Sequence, residues 1–435
     1  MANREVELLA VGAGPSNLGL AVALEELAPD LAESSLVIDR NPTIEWQQGM
    51  LLPWAKSQVS FLKDLVTQRN PRSRFSFLSH LKATGRLDDF VNMSSYLPYR
   101  VEIAEYLRWV ARSLAKVRIE LGREVVSIAP QWDALGVLSG WLTTLADGST
   151  ITSRFLVLGI GRDPYVPPVL QGLPHGRVVH SSSYAPHIAT LSREVPYRVA
   201  VVGSSQSAAE IVWALRTDLP DADVAWVMRR IALAADPSTK FTNELYYNSC
   251  VDQFYEYSPE ARERILREMY GTNYACVTPA MAEMLYADTY LDRIRDRTSR
   301  RIITAVDITG ASVVSDEVVL ELTDRRTGTV SELHRDLVLL GTGFSTEPPR
   351  LLRRLTDEIG LERVDVTRNY RLAIDQPAEA ACYLQGVNET THGIADSLLS
   401  VLAHRADEIT RDILALRSGS PFAEPAVSPA VPHQL

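Results

Sequence analysis

Apolar residues along the chain fall into short runs separated by stretches of amphipathic spacing, the pattern of strands followed by helices. Residues 6–11 form a brief apolar run that ends in glycines, residues 17–27 carry helical spacing, and residues 35–39 (SLVID) form a second apolar run closed by an acid. Together they predict one β-α-β unit. Residues 56–81 are polar and basic with aromatics between, and read as loop with a short helix. Helical periodicity returns over 101–116, and strands are expected at 118–130, 141–145 and 155–159, the last running into GIGRDPYVP.

A second β-α-β unit starts at 198–202 (RVAVV), with its helix over 207–215 and its next strand over 224–228. Residues 234–295 are rich in aromatics, amides and helix formers without a clear strand, so they read as a helical insertion. Strands resume at 302–308, 313–322 and 337–340, with a late strand at 383–387 and a final helix at 397–416. The expected fold class is α/β: two Rossmann-like dinucleotide-binding domains with a small helical substrate-binding insertion. The first domain takes residues 1–165 and 336–417, the second 166–233 and 296–335, and the insertion 234–295. Residues 418–435, with four prolines and few large apolar residues, read as a disordered tail.

Composition narrows the function. A chain of 435 residues is too long for one core. Its net charge of −10 lacks the basic footprint of a nucleic-acid binder and argues against docking on anionic membranes. No apolar run approaches the roughly 20 residues of a membrane span, and the first residues show no signal segment. Cys250, Cys276 and Cys382 are far apart and form no C-x-x-C, which fits a reducing cytoplasm, no disulfide framework and no metal site.

Two glycine-containing turns carry the chemistry. The first is Gly12-Ala13-Gly14-Pro15-Ser16-Asn17-Leu18-Gly19. Gly12 permits a tight turn, Gly14 lets the backbone approach a pyrophosphate, and the helix that follows points its positive end at the phosphates. Asn17 stands where a third glycine is usual, and Asp39 closes the next strand, where a carboxylate can bind ribose hydroxyls. The second turn is Gly203-Ser204-Ser205-Gln206-Ser207-Ala208, with Ser205 in place of the second glycine. Its next strand ends in Arg229-Arg230 instead of an acid, which favours a 2′-phosphate and so NADPH over NADH, unless both are solvated surface charges. Two nucleotide units in one chain suggest hydride transfer from a nicotinamide to a flavin.

Further motifs sharpen this reading. Asp336-Leu-Val-Leu-Leu-Gly341-Thr342-Gly343-Phe344 resembles the D-x-x-x-[LF]-A-T-G-Y motif of flavin-dependent N-hydroxylating monooxygenases, with Gly341 for alanine and Phe344 for tyrosine. Gln58 to Leu65, Asn70-Pro71-Arg72-Ser73, Thr242-Asn243-Glu244, Thr272-Asn273-Tyr274 and the block from Asn388 to Ser400 are similar to that family in the same order. The resemblance spans about residues 5–417, nearest to L-ornithine N5-monooxygenases of siderophore-type biosynthesis. It implies FAD in the first domain, NADPH in the second and dioxygen as co-substrate. It implies that Lys63 binds the substrate carboxylate, that Asn243 and Asn273 hold the amino acid, and that Ser400 sits at the side-chain end of the pocket. Asn273 would also touch the nicotinamide ribose.

The implied FAD set is Gly12, Gly14, Pro15, Asn17, Asp39, Trp46, Gln47, Gln58, Arg100, Val126 and the backbone of Ser397, Leu398 and Leu399. Where the family carries W-H, this chain has Trp46-Gln47. The implied NADPH set is Gly203, Ser204, Ser205, Gln206, Ser207, Arg229, Arg230, Asn273, Thr342 and Gly343. The resemblance further implies that reduced flavin takes up dioxygen as a C4a-hydroperoxide and that a neutral side-chain amine attacks its distal oxygen. Such an amine has a pKa near 10.4 in water, roughly, so burial must help it lose its proton. A homo-oligomer, dimer or tetramer, is expected.

Plainer readings stand beside these. Lys63-Asp64 reads also as an exposed ion pair, Asn243 and Asn273 as helix caps or turn residues, Ser400 as an ordinary helix serine and His392 as a turn former. Lysine or a diamine are alternative substrates, and Lys63 favours an amino acid because a diamine has no carboxylate. A disulfide reductase would need a redox cysteine pair that the chain lacks. A Baeyer–Villiger enzyme would need a glycine pattern absent from Val179 to Pro186. A non-catalytic nucleotide sensor would show no substrate-dependent NADPH oxidation.

Overall fold

The computed structural model describes residues 3–235 and 239–419. The tail expected at 418–435 lies outside the described residues from 420 on.

The first apolar run extends to a nine-residue strand, Asn3–Val11, and the glycine turn after it opens helix Pro15–Leu27 with proline in its first turn. The helix returns the chain to strand Ser35–Asp39, which pairs in parallel with Asn3–Val11. Around this unit a seven-stranded sheet forms in the order Arg118–Leu121, Ser35–Asp39, Asn3–Val11, Thr150–Leu158, Leu138–Leu145, Val125–Trp132. The late strand Ala381–Leu384 pairs with Phe155 to Leu158, while Leu138–Leu145 pairs along Thr150 to Ser153 of the same strand. Helices Pro15–Leu27, Arg100–Ser113 and Leu402–Ser418 cover one face, with Leu18, Leu107, Ile409 and Ile413 fully buried.

The second sheet repeats the plan. Its parallel strands lie in the order Arg300–Ile303, Asp223–Val227, Arg198–Val202, Leu337–Leu340, Val178–His180. Helix Gln206–Asp218 packs Ala208, Ile211 and Leu215 onto one face, and a small antiparallel sheet of Val306–Val314, Glu317–Asp324 and Val330–Arg335 covers the other. The expected insertion contains helices Lys240–Glu244, Asn248–Glu256, Pro259–Asn273 and Pro279–Ile294.

Three expectations are corrected. Residues 118–130 are two strands, because Gly122 turns the chain at φ 69°. Residues 302–308 divide at Ala305, whose φ of 56° breaks the extended run and sends the two halves to different sheets. The final helix begins at Leu402, since Ser397 and Leu398 precede a single tight turn, Leu399–Val401. In addition, Leu337–Leu340 lies inside the second sheet, so the return to the first domain comes after that strand, not at 336.

A buried polar network ties the first glycine turn to the C-terminal helix. Arg405 and Asp396 form an ion pair at 2.9 Å with side chains 1% and 0% exposed. Arg405 also donates to the Asp396 carbonyl (2.6 Å), Gln385 Oε1 (3.1 Å) and Ser16 Oγ (3.0 Å). Asp396 accepts from the Asn388 amide at 2.7 Å. Removing one partner of such a pair strands a charge in the core. Arg405→Met is therefore expected to lower unfolding free energy by about 3–5 kcal/mol in urea titrations, and adding Asp396→Leu to recover most of it. A loss under about 1 kcal/mol for the single variant would contradict this.

Candidate active site

Both glycine turns are built on the same contact. A Cβ on Gly12 would lie 2.4 Å from the Gly159 carbonyl, and one on Gly203 would lie 2.3 Å from the Gly341 carbonyl. Gly159 and Gly341 each follow the fourth strand of a sheet, so two backbones meet with no room for a side chain. Asn17 secures the first turn from behind. It is fully buried, its Nδ2 donates to the Val11 and Gly12 carbonyls (2.9 and 2.8 Å), and its Oδ1 accepts from Gln385 at 2.8 Å. Its service to a cofactor is thus to shape the turn. In the second turn Trp226 Nε1 donates to the Gly203 carbonyl (2.7 Å) and Ser205 Oγ to the Gly341 carbonyl (3.0 Å).

The fronts of both turns fit a dinucleotide. A Cβ on Gly14 would meet nothing within 4 Å, and the helix it caps has no side-chain cap. The N–H groups of that first turn are therefore left for an anion. Asp39 accepts from the Ala13 amide at 2.7 Å, which fixes its carboxylate beside the turn. Val126 is the second residue of the edge strand Val125–Trp132, close after Arg123, whose amide donates to the Asp39 carbonyl at 2.7 Å. Helix Gln206–Asp218 likewise lacks a side-chain cap, and Gly343 has open space at its missing Cβ. Arg229 and Arg230 follow strand Asp223–Val227 and form no ion pair among the described residues. The Thr342-Gly343 turn is held by Tyr165: Thr342 Oγ1 donates to the Tyr165 carbonyl (2.5 Å) and the Tyr165 amide to the Gly343 carbonyl (3.0 Å). His180, kept neutral by burial, accepts from Ser182 at Nδ1 and so donates from Nε2 to Gly343 at 2.8 Å.

Where the two units meet, Arg100 makes a bidentate pair with Glu210, both contacts 2.7 Å, and reaches the Met50 carbonyl at 3.3 Å. Gln206 donates to Glu210 (2.9 Å) and accepts from the Thr278 amide (2.9 Å). Arg100 thus locks the helix it starts to the second phosphate helix. Trp46 packs on the first core, Gln47 is exposed at φ 56°, and Gly49 lies directly against the Ser181–Ser183 turn.

The proposed substrate residues come from three segments that converge on a small apolar cluster. Tyr246, Val251, Ile394, Ala395 and Val401 form it, with Tyr274 and Leu398 among the residues against it. Asn243 lies three residues before Tyr246 and is exposed; Asn273 ends its helix beside Tyr274; Ser400 adjoins Val401. The Tyr246 hydroxyl joins the first two segments by bonding the Thr272 carbonyl and hydroxyl at 2.9 and 2.8 Å. Ser400 is buried and its Oγ has no hydrogen-bond partner among the described residues. Lys63 enters from the first unit, its Nζ 4.4 Å from the Tyr247 ring centre. It has no ion pair among the described residues, and half-burial lowers its pKa. Asp64 does not pair with it. It turns inward and accepts from the amides of Val66, Thr67 and Phe77 and from the Thr67 hydroxyl, at 2.6 to 3.0 Å. Gln58 is exposed on the same loop.

The chain resembles known proteins over most of its length. Residues 4–346 match the model of the L-lysine 6-monooxygenase/L-ornithine 5-monooxygenase family. The L-ornithine N(5)-monooxygenase of Pseudomonas aeruginosa is 36% identical over 93% of this chain and 92% of its own length. The chain belongs to this family. Among solved structures, the ornithine hydroxylase of Pseudomonas aeruginosa superposes with a TM-score of 0.88 at 34% identity, covering 95% of this chain and all of that one. The Kutzneria ornithine N-hydroxylase, solved with reduced FAD, NADP+ and L-ornithine, gives 0.87 at 33%, covering 96% and 100%.

Within this N-hydroxylating monooxygenase chain, Arg162 and Glu389 escaped the sequence reading, and they join Tyr274 and Ser397, which it had named. Arg162 pairs with Glu389 at 2.9 Å, the Tyr274 hydroxyl bonds Glu389, and Ser397 Oγ donates to Glu389 at 2.9 Å. Burial and the Glu389 charge push Tyr274 up to about 12. The group fastens the end of helix Pro259–Asn273 to the Ser397 loop, and Arg162 balances the Glu389 charge. The polar GIGRDP segment hinted at it, but nothing in the sequence pairs Arg162 with a residue so far away. Gly14 gives a direct test of the first cradle. Its φ of −78° and ψ of 179° suit any residue. Gly14→Val should cost no more than about 1 kcal/mol in stability yet yield protein without flavin absorbance. A variant that keeps one FAD per chain would show that the phosphates do not pass this point.

Proposed function

We propose that the protein is an FAD- and NADPH-dependent monooxygenase that converts L-ornithine to N5-hydroxy-L-ornithine, with dioxygen as co-substrate. The observation that carries the reading is a half-buried Lys63, without an ion pair among the described residues, that faces Tyr247 of the helical insertion in a chain with two open glycine turns. In the first cradle Gly12, Gly14, Pro15 and Asp39 hold FAD, with Trp46, Gln47, Gln58, Val126 and the Ser397–Leu399 backbone around it. In the second, Ser204, Ser205, Gln206, Ser207 and the Thr342-Gly343 turn hold NADPH, with Arg229 and Arg230 on its 2′-phosphate. Once bound, the reduced flavin supplies activated oxygen.

The rest is work done by the chain. Lys63 pairs with the ornithine carboxylate, and Asn243 and Asn273 hold the α-amino end. Ser400 brings a buried, unpartnered hydroxyl that accepts from a neutral side-chain amine. The apolar cluster beneath disfavours the ammonium form, so the amine loses its proton on binding. A diamine would leave Lys63 without a partner. The expected homo-oligomer, dimer or tetramer, works in a reducing cytoplasm. The free thiols of Cys250 and Cys382 are consistent with that, and no helix among the described residues is long and apolar enough to cross a membrane.

The test is NADPH and oxygen consumption by FAD-loaded protein with ornithine, lysine, putrescine and cadaverine, with hydroxylamine assayed separately. Lys63→Ala is expected to raise the ornithine KM roughly 10- to 100-fold while anaerobic flavin reduction persists. Equal loss of both would end the carboxylate role. Because burial lowers the Lys63 pKa from 10.5, its charge is lost as pH rises, beginning below that value. The ornithine KM should therefore climb on the alkaline side, and Lys63→Arg should move that climb to higher pH. Replacing Arg229 and Arg230 by alanine should cut the preference for NADPH over NADH at least about tenfold; unchanged preference would assign the 2′-phosphate elsewhere.

A further inference from the structure

Helix Pro279–Ile294 has two unlike sides. Its inner side sets Met281 and Leu285 into the core of the second unit, while Asp288 and Asp292 hold Arg216 and Arg300 at 2.7 to 3.4 Å. Its outer side exposes Met284, Tyr286, Tyr290, Leu291 and Ile294, from 40% at Met284 to 67% at Tyr286. Five large apolar side chains on one helix make a continuous patch of the kind that marks an interaction surface.

The charges around the patch specify what fits it. Glu283 stands near the start of the helix, and Arg293, Arg295 and Arg297 stand at and just beyond its end; all four are exposed and without an ion pair among the described residues. Beside the arginines lies a groove of about 460 Å³ lined by Trp213, Leu291, Arg295 and Arg297. Glu283 and Arg293 are equally spaced about Asp288 in the sequence. An antiparallel copy of this helix therefore brings each Glu283 to the other's arginine end and crosses Tyr286 with Tyr290. A parallel copy would set like charges together. An acidic partner would meet Glu283 and a net charge of −10, and a basic partner would meet the arginines.

We propose that a second copy of the chain docks here, helix Pro279–Ile294 against helix Pro279–Ile294, across a two-fold axis near Asp288. A symmetric contact of this kind is self-complementary, as a two-fold dimer requires. The proposal rests on the self-association expected above, not on the reaction.

The experiment is sedimentation equilibrium of the FAD-loaded enzyme, with melting temperature and basal NADPH oxidation as folding checks. Wild type should exceed one chain in mass. Glu283→Arg alone and Arg293→Glu alone should each weaken association about tenfold or more, and the double exchange should restore it, since each copy then meets the opposite charge again. Tyr290→Asp with Ile294→Asp should give monomers. A monomeric wild type at tens of micromolar would overturn self-association itself. An oligomer that survives the single exchanges and the aspartate pair, or a double exchange that fails to rescue, would overturn this surface alone.

Discussion

Two places where backbone lies on backbone, Gly12 against Gly159 and Gly203 against Gly341, set the geometry on which the rest of the structure depends. In each sheet the central strand and the fourth strand end side by side, and the turn leaving one must pass over the carbonyl ending the other. Only because neither residue has a Cβ can the turn sink low enough to aim the next helix across the sheet edge. Gly341 goes further: a Cβ there would also lie 2.6 Å from Ala208. The small side chain of Ala208 and the bare Gly341 therefore form one joint, which accounts for glycine where the family motif carries alanine.

Behind the first of these joints the polar core is continuous. Asn17 passes hydrogen bonds from the turn to Gln385, Gln385 to Arg405, and Arg405 to both Ser16 and Asp396. The same few side chains thus fix the turn where a pyrophosphate would lie and the segment leading to Ser397–Leu399. A shift at one end is transmitted to the other because these buried donors and acceptors are matched to one another in a medium of low polarity. The second joint is tied less deeply, through a tryptophan, a serine and the Arg100–Glu210 pair at the junction of the units.

Much of this was legible in the chain. The β-α-β units announced themselves through apolar runs followed by glycine, and Leu337–Leu340 and the second glycine turn were readable because local pattern decides them. What was not legible depends on distant partners or on single backbone angles. Gly122 and Ala305 each end a strand that composition alone would continue. Arg405 looks like one charged residue on a helix, and only the fold shows it fully buried opposite Asp396. Lys63-Asp64 reads as an adjacent pair of opposite charges, yet the loop turns one inward to bind amides and the other outward toward Tyr247.

The strand Thr150–Leu158 has a divided edge, one half satisfied by its immediate neighbour in sequence and the other by Ala381–Leu384, contributed more than two hundred residues later. During synthesis on the ribosome, the early half of the protein must wait with hydrogen-bonding groups at that edge open to water and to other nascent chains. The second sheet lies wholly within the intervening stretch and is free to close first. The first sheet is therefore complete only once residue 384 has been made, and a chain that stops ahead of it would leave the edge of Thr150–Leu158 open over residues 155–158, a template for pairing with another chain.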